Sequence, residues 1–115
     1  MAKSGFSGGR ASGGMNMNMI KQAQKMQQEM LKTQQEIEQK EFSASSGGGM
    51  VTATVNGKRE ILSLSIDEDA VIEAESPEDV EMLSDAIIAA LNEAMKKATD
   101  EMTEAMNKFA GGMGF

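Results

Sequence analysis

Cysteine and histidine are both absent from this 115-residue chain. Without cysteine there are no disulfides, thiol nucleophiles or thiolate-bound metals. Without histidine the commonest acid–base catalyst and transition-metal ligand is missing. Catalytic centres of the Ser-His-Asp and Cys-His types are therefore excluded. We expect a protein that is not an enzyme and that has no metal site, no cofactor and no small-molecule substrate.

Large aromatic side chains and long apolar runs are also scarce. The chain has four phenylalanines, no tryptophan, no tyrosine and one proline, so its core must be built from Ile, Leu, Val, Met and Ala. No apolar run approaches the roughly 18 residues that a membrane span requires, and we expect no membrane association. The lack of cysteine is compatible with the cytosol.

Charge is distributed unevenly along the chain, whose net charge is −7. Residues 1–40 carry a net charge of +3, residues 41–66 are neutral, and residues 67–115 carry −10. A basic first third and an acidic second half indicate surfaces with different partners. The Gly/Ser-rich residues 1–14 predict a disordered tail, because they contain too little apolar surface to fold. A short transit peptide is the alternative for this segment.

Residues 15–40 have the 3.6-residue period of an amphipathic helix. One face is apolar, with the spacing of a coiled-coil seam, and consists of Met19, Ala23, Met26, Met30 and Ile37. The opposite face carries cations and amides, among them Lys21, Gln24, Lys25, Gln28 and Lys32.

Between Glu41 and Ile66 the period becomes two, which predicts three antiparallel strands with one apolar face. The glycines of residues 47–49 separate the first two strands. Asn56-Gly57 predicts a tight hairpin in which both residues have positive φ. The acidic residues 67–75 are interpreted as a solvated linker.

Residues 76–79 (SPED) predict the start of a second long helix. Ser76 is the expected cap, Pro77 suits the first turn, and Glu78 and Asp79 favour the positive end of the helix. The helical period continues to about Phe109, and a flexible tail is predicted for residues 111–115. We therefore predict one α+β domain over residues 15–110, with a long amino-terminal helix, a three-stranded antiparallel sheet and a long carboxy-terminal helix.

The two predicted helices are too long for a compact monomer. A final helix of about 33 residues is about 50 Å long, whereas three strands of about five to seven residues cover about 20 Å of it. The rest of its apolar stripe needs a cover, since monomers rarely expose such a patch. We expect a two-fold homodimer with projecting helical arms. The predicted interface consists of Leu83, Ile87, Leu91, Ala94, Ala98 and Met102.

Several runs of residues match one known family in order and in loop length. They are Asn18–Gln27 (NMIKQAQKMQ), Ser46–Val51 (SGGGMV), Val55–Lys58 (VNGK), Pro77–Leu83 (PEDVEML) and Ala90–Ala94 (ALNEA). Together they make residues 15–115 similar to the YbaB/EbfC nucleoid-associated proteins. The resemblance implies a bacterial homodimer shaped like tweezers, whose helical arms bind duplex DNA. It also implies a cytoplasmic protein on the nucleoid, with roles in chromosome organisation and gene regulation.

The candidate DNA-binding residues have two interpretations. The row of Lys21, Lys25 and Lys32 is either a face that contacts phosphates, with Gln24 and Gln28 as hydrogen-bonding partners, or an ordinary solvated helix face. Further candidates are Lys3, Arg10, Lys96, Lys97 and Lys108. Because no arginine lies in a predicted helix, contacts with the DNA backbone or shape are expected rather than readout of guanine edges.

A second hypothesis belongs to a different class of function. The Met-rich stripe of the first helix and the acidic second helix also suit an adaptor that docks an unidentified protein partner, for example in replication or repair. Methionine packs adaptably against varied surfaces, although packing within a core or dimer explains the same residues.

Overall fold

The structure is a computed structural model that describes residues 17–112, with side chains for residues 17–110. The elements are helix α1 (Met17–Gln39), strands β1 (Glu41–Ser46), β2 (Val51–Asn56) and β3 (Ile61–Ile66), and helices α2 (Glu68–Glu73) and α3 (Pro77–Gly112). The predicted α+β architecture of two long helices around a three-stranded antiparallel sheet is confirmed. The tail predicted for residues 1–14 and the last three residues of the chain lie outside the described range.

The sheet has the order β1-β2-β3, with both pairs antiparallel. On one face of its central strand, Val51, Ala53 and Val55 are fully buried. The other face is lined by hydroxyls that pair across the strands. Ser43 pairs with Thr54, and Ser45 pairs with Thr52, each at an oxygen–oxygen distance of 2.8 Å.

Helix α3 covers β1 and β2 through a stripe of small residues. Ala86, Ala90, Ala94 and Ala98 recur every four residues and are buried against the sheet. Their small side chains let the helix lie close to the strands, so that the interface is filled mainly by Val and Ala. Strand β3 lies beyond this cover, and its side chains are exposed or half-buried.

The path of β1 shows how the long helices are arranged. Ser46 Oγ donates a hydrogen bond to the Ala86 carbonyl, and Lys40 Nζ lies 2.5 Å from Glu101 Oε2. Strand β1 therefore runs antiparallel to α3 between these points, and α1, which precedes β1, continues past residue 101. We call the sheet with α2 and residues 77–98 of α3 the body, and α1 with residues 99–112 of α3 the arm.

The overall dimensions agree with a projecting arm. The principal-axis extents are 81 × 26 × 22 Å and the radius of gyration is 24.1 Å, whereas a compact domain of about 100 residues has a radius near 13 Å. The 23 residues of α1 span about 34 Å. Only Ile37, near the end of α1, belongs to the buried core. In the described part of the chain, every helix is too short or too polar to span a bilayer.

The predicted start of α3 is confirmed in atomic detail. Ser76 Oγ accepts a hydrogen bond from the Asp79 backbone N–H at 3.1 Å, and Asp79 Oδ2 accepts one from the Ser76 N–H at 3.3 Å. The Glu75 N–H also donates to Asp79 Oδ2 at 3.2 Å. These bonds, led by the one from Glu75, hold the pKa of the Asp79 carboxyl below its usual range.

Three local expectations are wrong. The acidic stretch after β3 is not simply a linker, because Asp67 caps the short helix α2 by accepting from the Asp69 N–H at 3.4 Å. Helix α3 continues through Gly112 rather than ending before the glycines. In the loop between β2 and β3 neither Asn56 nor Gly57 has positive φ; Arg59 does instead, at 65°.

Position 57 requires glycine because there is no space for a Cβ atom, and not because of its φ. A Cβ atom at this position would lie 1.9 Å from the Ile37 carbonyl oxygen and 2.8 Å from Glu38 Cα. The loop therefore rests directly on the last turn of α1, an approach that only glycine permits.

Candidate nucleic-acid interface

Helix α1 displays a row of three lysines on the surface of the arm. Lys21, Lys25 and Lys32 are exposed and fall within an arc of about 40° on an α-helix. This arc lies opposite Ile37, the buried residue of the helix. The exposed amides of Gln24 and Gln28 border the same face.

The charges of this lysine row are not neutralised within the chain. Between residues 17 and 110, no carboxylate oxygen lies within 4.0 Å of any of the three ammonium groups. Glu29 and Glu36 each lie one helical turn from a lysine of the row, so their fields moderate the local potential without forming ion pairs. Three cations with bordering amides match the chemistry of phosphate oxygens.

The lysines of α3 are in different situations. Lys96 forms an ion pair with Asp100 at 2.9 Å, and this hydrogen bond raises the pKa of Lys96. Lys97 donates to the Ser43 carbonyl at 2.7 Å, which ties α3 to β1. Lys108 is exposed near the end of the arm. Two of the three α3 candidates are thus already engaged by the chain, while Lys3 and Arg10 lie outside the described residues.

The structure adds two cations that sequence reasoning missed. Lys58 and Arg59 are exposed in the loop between β2 and β3, where that loop meets the end of α1. The sequence did contain a signal for them, because two adjacent cations directly follow Asn56-Gly57. From the sequence alone, that stretch is interpreted only as a turn.

The six predicted interface residues divide into two groups. Ala94 and Ala98 have no exposed surface, because they pack against the sheet of their own chain. They therefore belong to the core of their own chain, and a partner has no surface of theirs to contact. The other four are partly buried against that core, namely Leu83, Ile87, Leu91 and Met102.

A larger apolar surface lies on β3, beyond the edge of α3. Ile61, Leu62 and Leu64 are 56%, 48% and 41% exposed. Leu64 is the register partner of the fully buried Ala53, so it projects from the face of the sheet that α3 covers. Residues 17–110 leave this part of the apolar face open.

An acidic groove lies at the opposite end of the body from the arm. It encloses about 420 Å³ between the Gly47–Gly49 turn, α2 and the start of α3. Its acidic lining residues are Asp67, Asp69, Glu73 and Asp79. The Asp67 carboxylate already caps α2, and the Asp79 carboxylate already accepts hydrogen bonds from the Glu75 and Ser76 N–H groups at the start of α3. Among residues 17–112 no three acidic side chains are arranged to hold a metal ion.

Comparison with known proteins identifies the family. The sequence profile described as the YbaB/EbfC DNA-binding family matches residues 12–113. The chain belongs to the YbaB/EbfC DNA-binding family. The resemblance drawn from the residue runs of α1, the strands and α3 is therefore confirmed.

Two proteins named as nucleoid-associated are similar to this chain along nearly their whole length. A nucleoid-associated protein of Clostridium novyi is 54% identical over 114 residues, which cover 98% of this chain and 95% of that protein. One from Alkaliphilus metalliredigens is 50% identical over 113 residues, with the same coverage.

Among solved structures, an uncharacterized protein from Helicobacter pylori has a TM-score of 0.65 at 23% identity. The match covers 84% of this chain and 98% of the other. At this identity the likeness shows that the two proteins share a fold.

Proposed function

We propose that this protein binds duplex DNA mainly through the phosphate backbone, as a tweezer-like homodimer of the bacterial nucleoid. The proposal rests on the lysine row on the exposed face of α1, whose three cations have no carboxylate oxygen within 4.0 Å among residues 17–110. The proposed role of the protein is to organise the nucleoid and, by occupying DNA, to regulate genes. The relatives from Clostridium novyi and Alkaliphilus metalliredigens carry the name nucleoid-associated protein, which supports this assignment.

The net charge of −7 limits this function. Long-range repulsion slows the encounter with DNA at low salt, but screening acts within about 10 Å at 0.1 M salt. Most of the acids belong to residues 67–115, whereas the lysine row lies on α1. We therefore expect modest affinity and little discrimination between base sequences.

A second copy of the chain is the proposed cover for the open apolar face. The arm of one chain forms one prong of the tweezers. A two-fold axis through the body places the arm of the second copy as the other prong. Leu62 and Leu64 of β3, with the half-buried Leu83, Ile87 and Leu91 of α3, form the proposed contact surface. Burying these side chains removes apolar area from water, which is the main driving force for association.

Titration of duplex DNA at several salt concentrations tests the DNA-binding proposal. In the variant Lys21→Gln/Lys25→Gln/Lys32→Gln, the slope of log K against log salt should become shallower by about 0.9 for each phosphate that the row no longer neutralises. Gln27→Glu/Gln34→Glu/Asn107→Asp is the matched control, since it lowers the net charge by the same amount without altering the lysine row.

The control separates local contacts from overall charge. An equal loss of affinity in both variants would mean that net charge alone governs binding and that the lysine row has no special role. A wild-type protein that does not bind duplex DNA at any salt concentration would overturn the proposal.

Sedimentation tests the homodimer. Wild type should sediment as a dimer at micromolar concentration, and Leu64→Glu should shift it toward monomer, because a charge placed in a buried apolar contact is costly. Ser63→Glu, on the hydroxyl-lined face of the same strand, should leave the dimer intact. A wild-type protein with the mass of one chain would contradict the tweezer arrangement.

The acidic groove favours a second candidate function, that of a protein-docking adaptor. Beside its carboxylates the groove is lined by Met50, Met82 and Leu83, which suits a segment carrying both cations and apolar side chains. Three results together would favour this function. The wild-type protein would not bind duplex DNA, it would bind such a peptide, and Glu73→Gln would bind the peptide more weakly.

A further inference from the structure

The loop between β2 and β3 is held in one conformation by Asn56. Its side-chain Oδ1 accepts hydrogen bonds from the backbone N–H groups of Lys58 at 2.9 Å and Glu60 at 3.0 Å. The Arg59 N–H donates to the Asn56 carbonyl at 2.8 Å, and the Asn56 N–H donates to the Glu60 carbonyl at 3.0 Å. Lys58 and Arg59 are therefore presented from an ordered backbone.

Arg59 occupies a conformation that arginine disfavours. Its φ of 65° is the only positive φ of a non-glycine residue in the described range. Three-residue hairpin loops usually place glycine at this position, and another residue in this region adds strain. Strain of this kind concentrates at ligand-binding sites. The arginine at this costly position therefore indicates that its side chain takes part in binding a ligand.

The positive charges of the loop are not neutralised by their acidic neighbour. The Glu60 carboxylate accepts a hydrogen bond from Asn56 Nδ2 at 2.8 Å. Over residues 17–110, neither Lys58 nor Arg59 has a carboxylate oxygen within 4.0 Å. The loop thus uses its amide to hold the acid and leaves both cations available to an external anion.

A cavity of about 420 Å³ opens beside the loop, between the end of α1 and α3. Lys58 and Arg59 line one side of it, and Thr99 and Thr103 of α3 line another. The two threonines are exposed and one helical turn apart, so their hydroxyls can donate to oxygen atoms of an anion. Among the described residues, Glu38 is the single acid in the lining.

We infer that this loop is a second phosphate-binding site for duplex DNA, with Lys58 and Arg59 as its cations. It rests on the proposed function, because it takes the same ligand as the lysine row. The site is distinct from the row, which lies on the face of α1 opposite Ile37, whereas the loop packs on the Ile37 carbonyl. Because Gly57 permits that packing, a phosphate bound here is held at the junction of body and arm.

Duplex DNA titration against salt tests this site with two single variants, Lys58→Gln and Arg59→Asn. Asparagine tolerates positive φ, so the second variant removes the charge while keeping the loop conformation. Each should make the salt slope shallower by about 0.9 for each phosphate that is no longer neutralised. Each should also lower the affinity at 0.1 M salt by about tenfold. The counterion contribution to log K vanishes near 1 M salt, and the slope difference of about 0.9 acts over the one decade from 1 M to 0.1 M.

Two further variants act as controls. Lys40→Gln removes one positive charge that Glu101 already pairs, and we expect its salt slope to equal that of wild type. Arg59→Lys retains the charge, and we expect it to keep most of the slope. Thermal unfolding of each variant, followed by circular dichroism, reports whether the fold is kept.

The outcomes distinguish this inference from the proposed function. If the lysine-row variant loses affinity and both loop variants bind DNA like wild type, the loop site is overturned and the proposed function stands. If the loop variants lose affinity and Lys40→Gln does not, the loop site is supported, even where the lysine row proves inert. If Lys40→Gln loses as much as Arg59→Asn, the effect is one of net charge and the site is overturned.

Discussion

The body and the arm differ in how their helices are held. In the body, α3 presses a stripe of four alanines onto β1 and β2, and the facing valines are fully buried. In the arm, α1 buries one side chain, Ile37, and leaves its lysine row exposed. Packing therefore constrains the buried residues of the body mainly to small apolar types, whereas most positions of α1 lie outside the core. The junction between the two regions is where a single substitution can alter both.

The largest expected effect is at that junction. Gly57→Ala should lower the free energy of unfolding by about 3 kcal/mol, because the new Cβ meets backbone atoms of α1 that cannot rotate away. Urea unfolding measures this loss. Gly48→Ala is the control: no atom of the described residues lies within 4 Å of a Cβ at this position, although its φ is positive, so it should cost about 1 kcal/mol. Equal losses would mean that the junction imposes no special packing constraint.

The next effect compares two apolar residues of α1. Ile37→Ala should cost about 2 kcal/mol, because Ile37 is 6% exposed and packs in the core. Leu31→Ala should change stability by less than about 0.5 kcal/mol, since Leu31 is 53% exposed. Thermal or urea unfolding of the two variants tests the division between arm and body. A large loss for Leu31→Ala would show that a partner covers this part of the arm.

A smaller effect is expected for the ion pair that joins the junction to α3. Glu101→Gln should lower stability by about 0.5 kcal/mol or less, because both partners are substantially exposed and water screens their attraction. Raising the salt concentration should reduce the difference from wild type. A loss that is several-fold larger and independent of salt would mean that this pair fixes the direction of the arm.

The smallest effect concerns pH at the start of α3. The pKa of Asp79 is lower in the folded chain than its usual 3.8. Its contribution to stability is therefore full above the unfolded pKa and is lost as the pH falls through the folded pKa. Unfolding midpoints of wild type and Asp79→Asn should differ at pH 7 and converge in strong acid. A difference that stays constant down to pH 2 would contradict this role.

Much of the fold could be predicted because its signals are local. The periods of α1 and α3, the alternation of the strands and the Ser76 cap each depend on residues within one or two helical turns. The helix α2 had a local signal as well, since Asp67 followed by Glu68 and Asp69 is a capped, acidic helix start. It was missed because the charges suggested a solvated linker.

The candidate site was less predictable, because it depends on contacts between distant residues. Lys96 and Lys97 look like free cations in the sequence, yet Asp100 and the Ser43 carbonyl engage them. Lys58 and Arg59 look like ordinary turn residues. Only the folded chain shows that their loop lies beside α1 and α3 and that Glu60 is held by Asn56.

The sequence by itself determined the order of elements, the amphipathic faces and the cations of α1, because backbone periodicity and side-chain chemistry are properties of neighbouring residues. The tertiary structure decided which apolar residues became core, as with Ala94 and Ala98, and which stayed open, as with Leu62 and Leu64. It also decided why position 57 is glycine. The turn signal pointed to φ, but the cause is the carbonyl of Ile37, 20 residues earlier in the chain, and such a contact exists only once α1 and the sheet have come together.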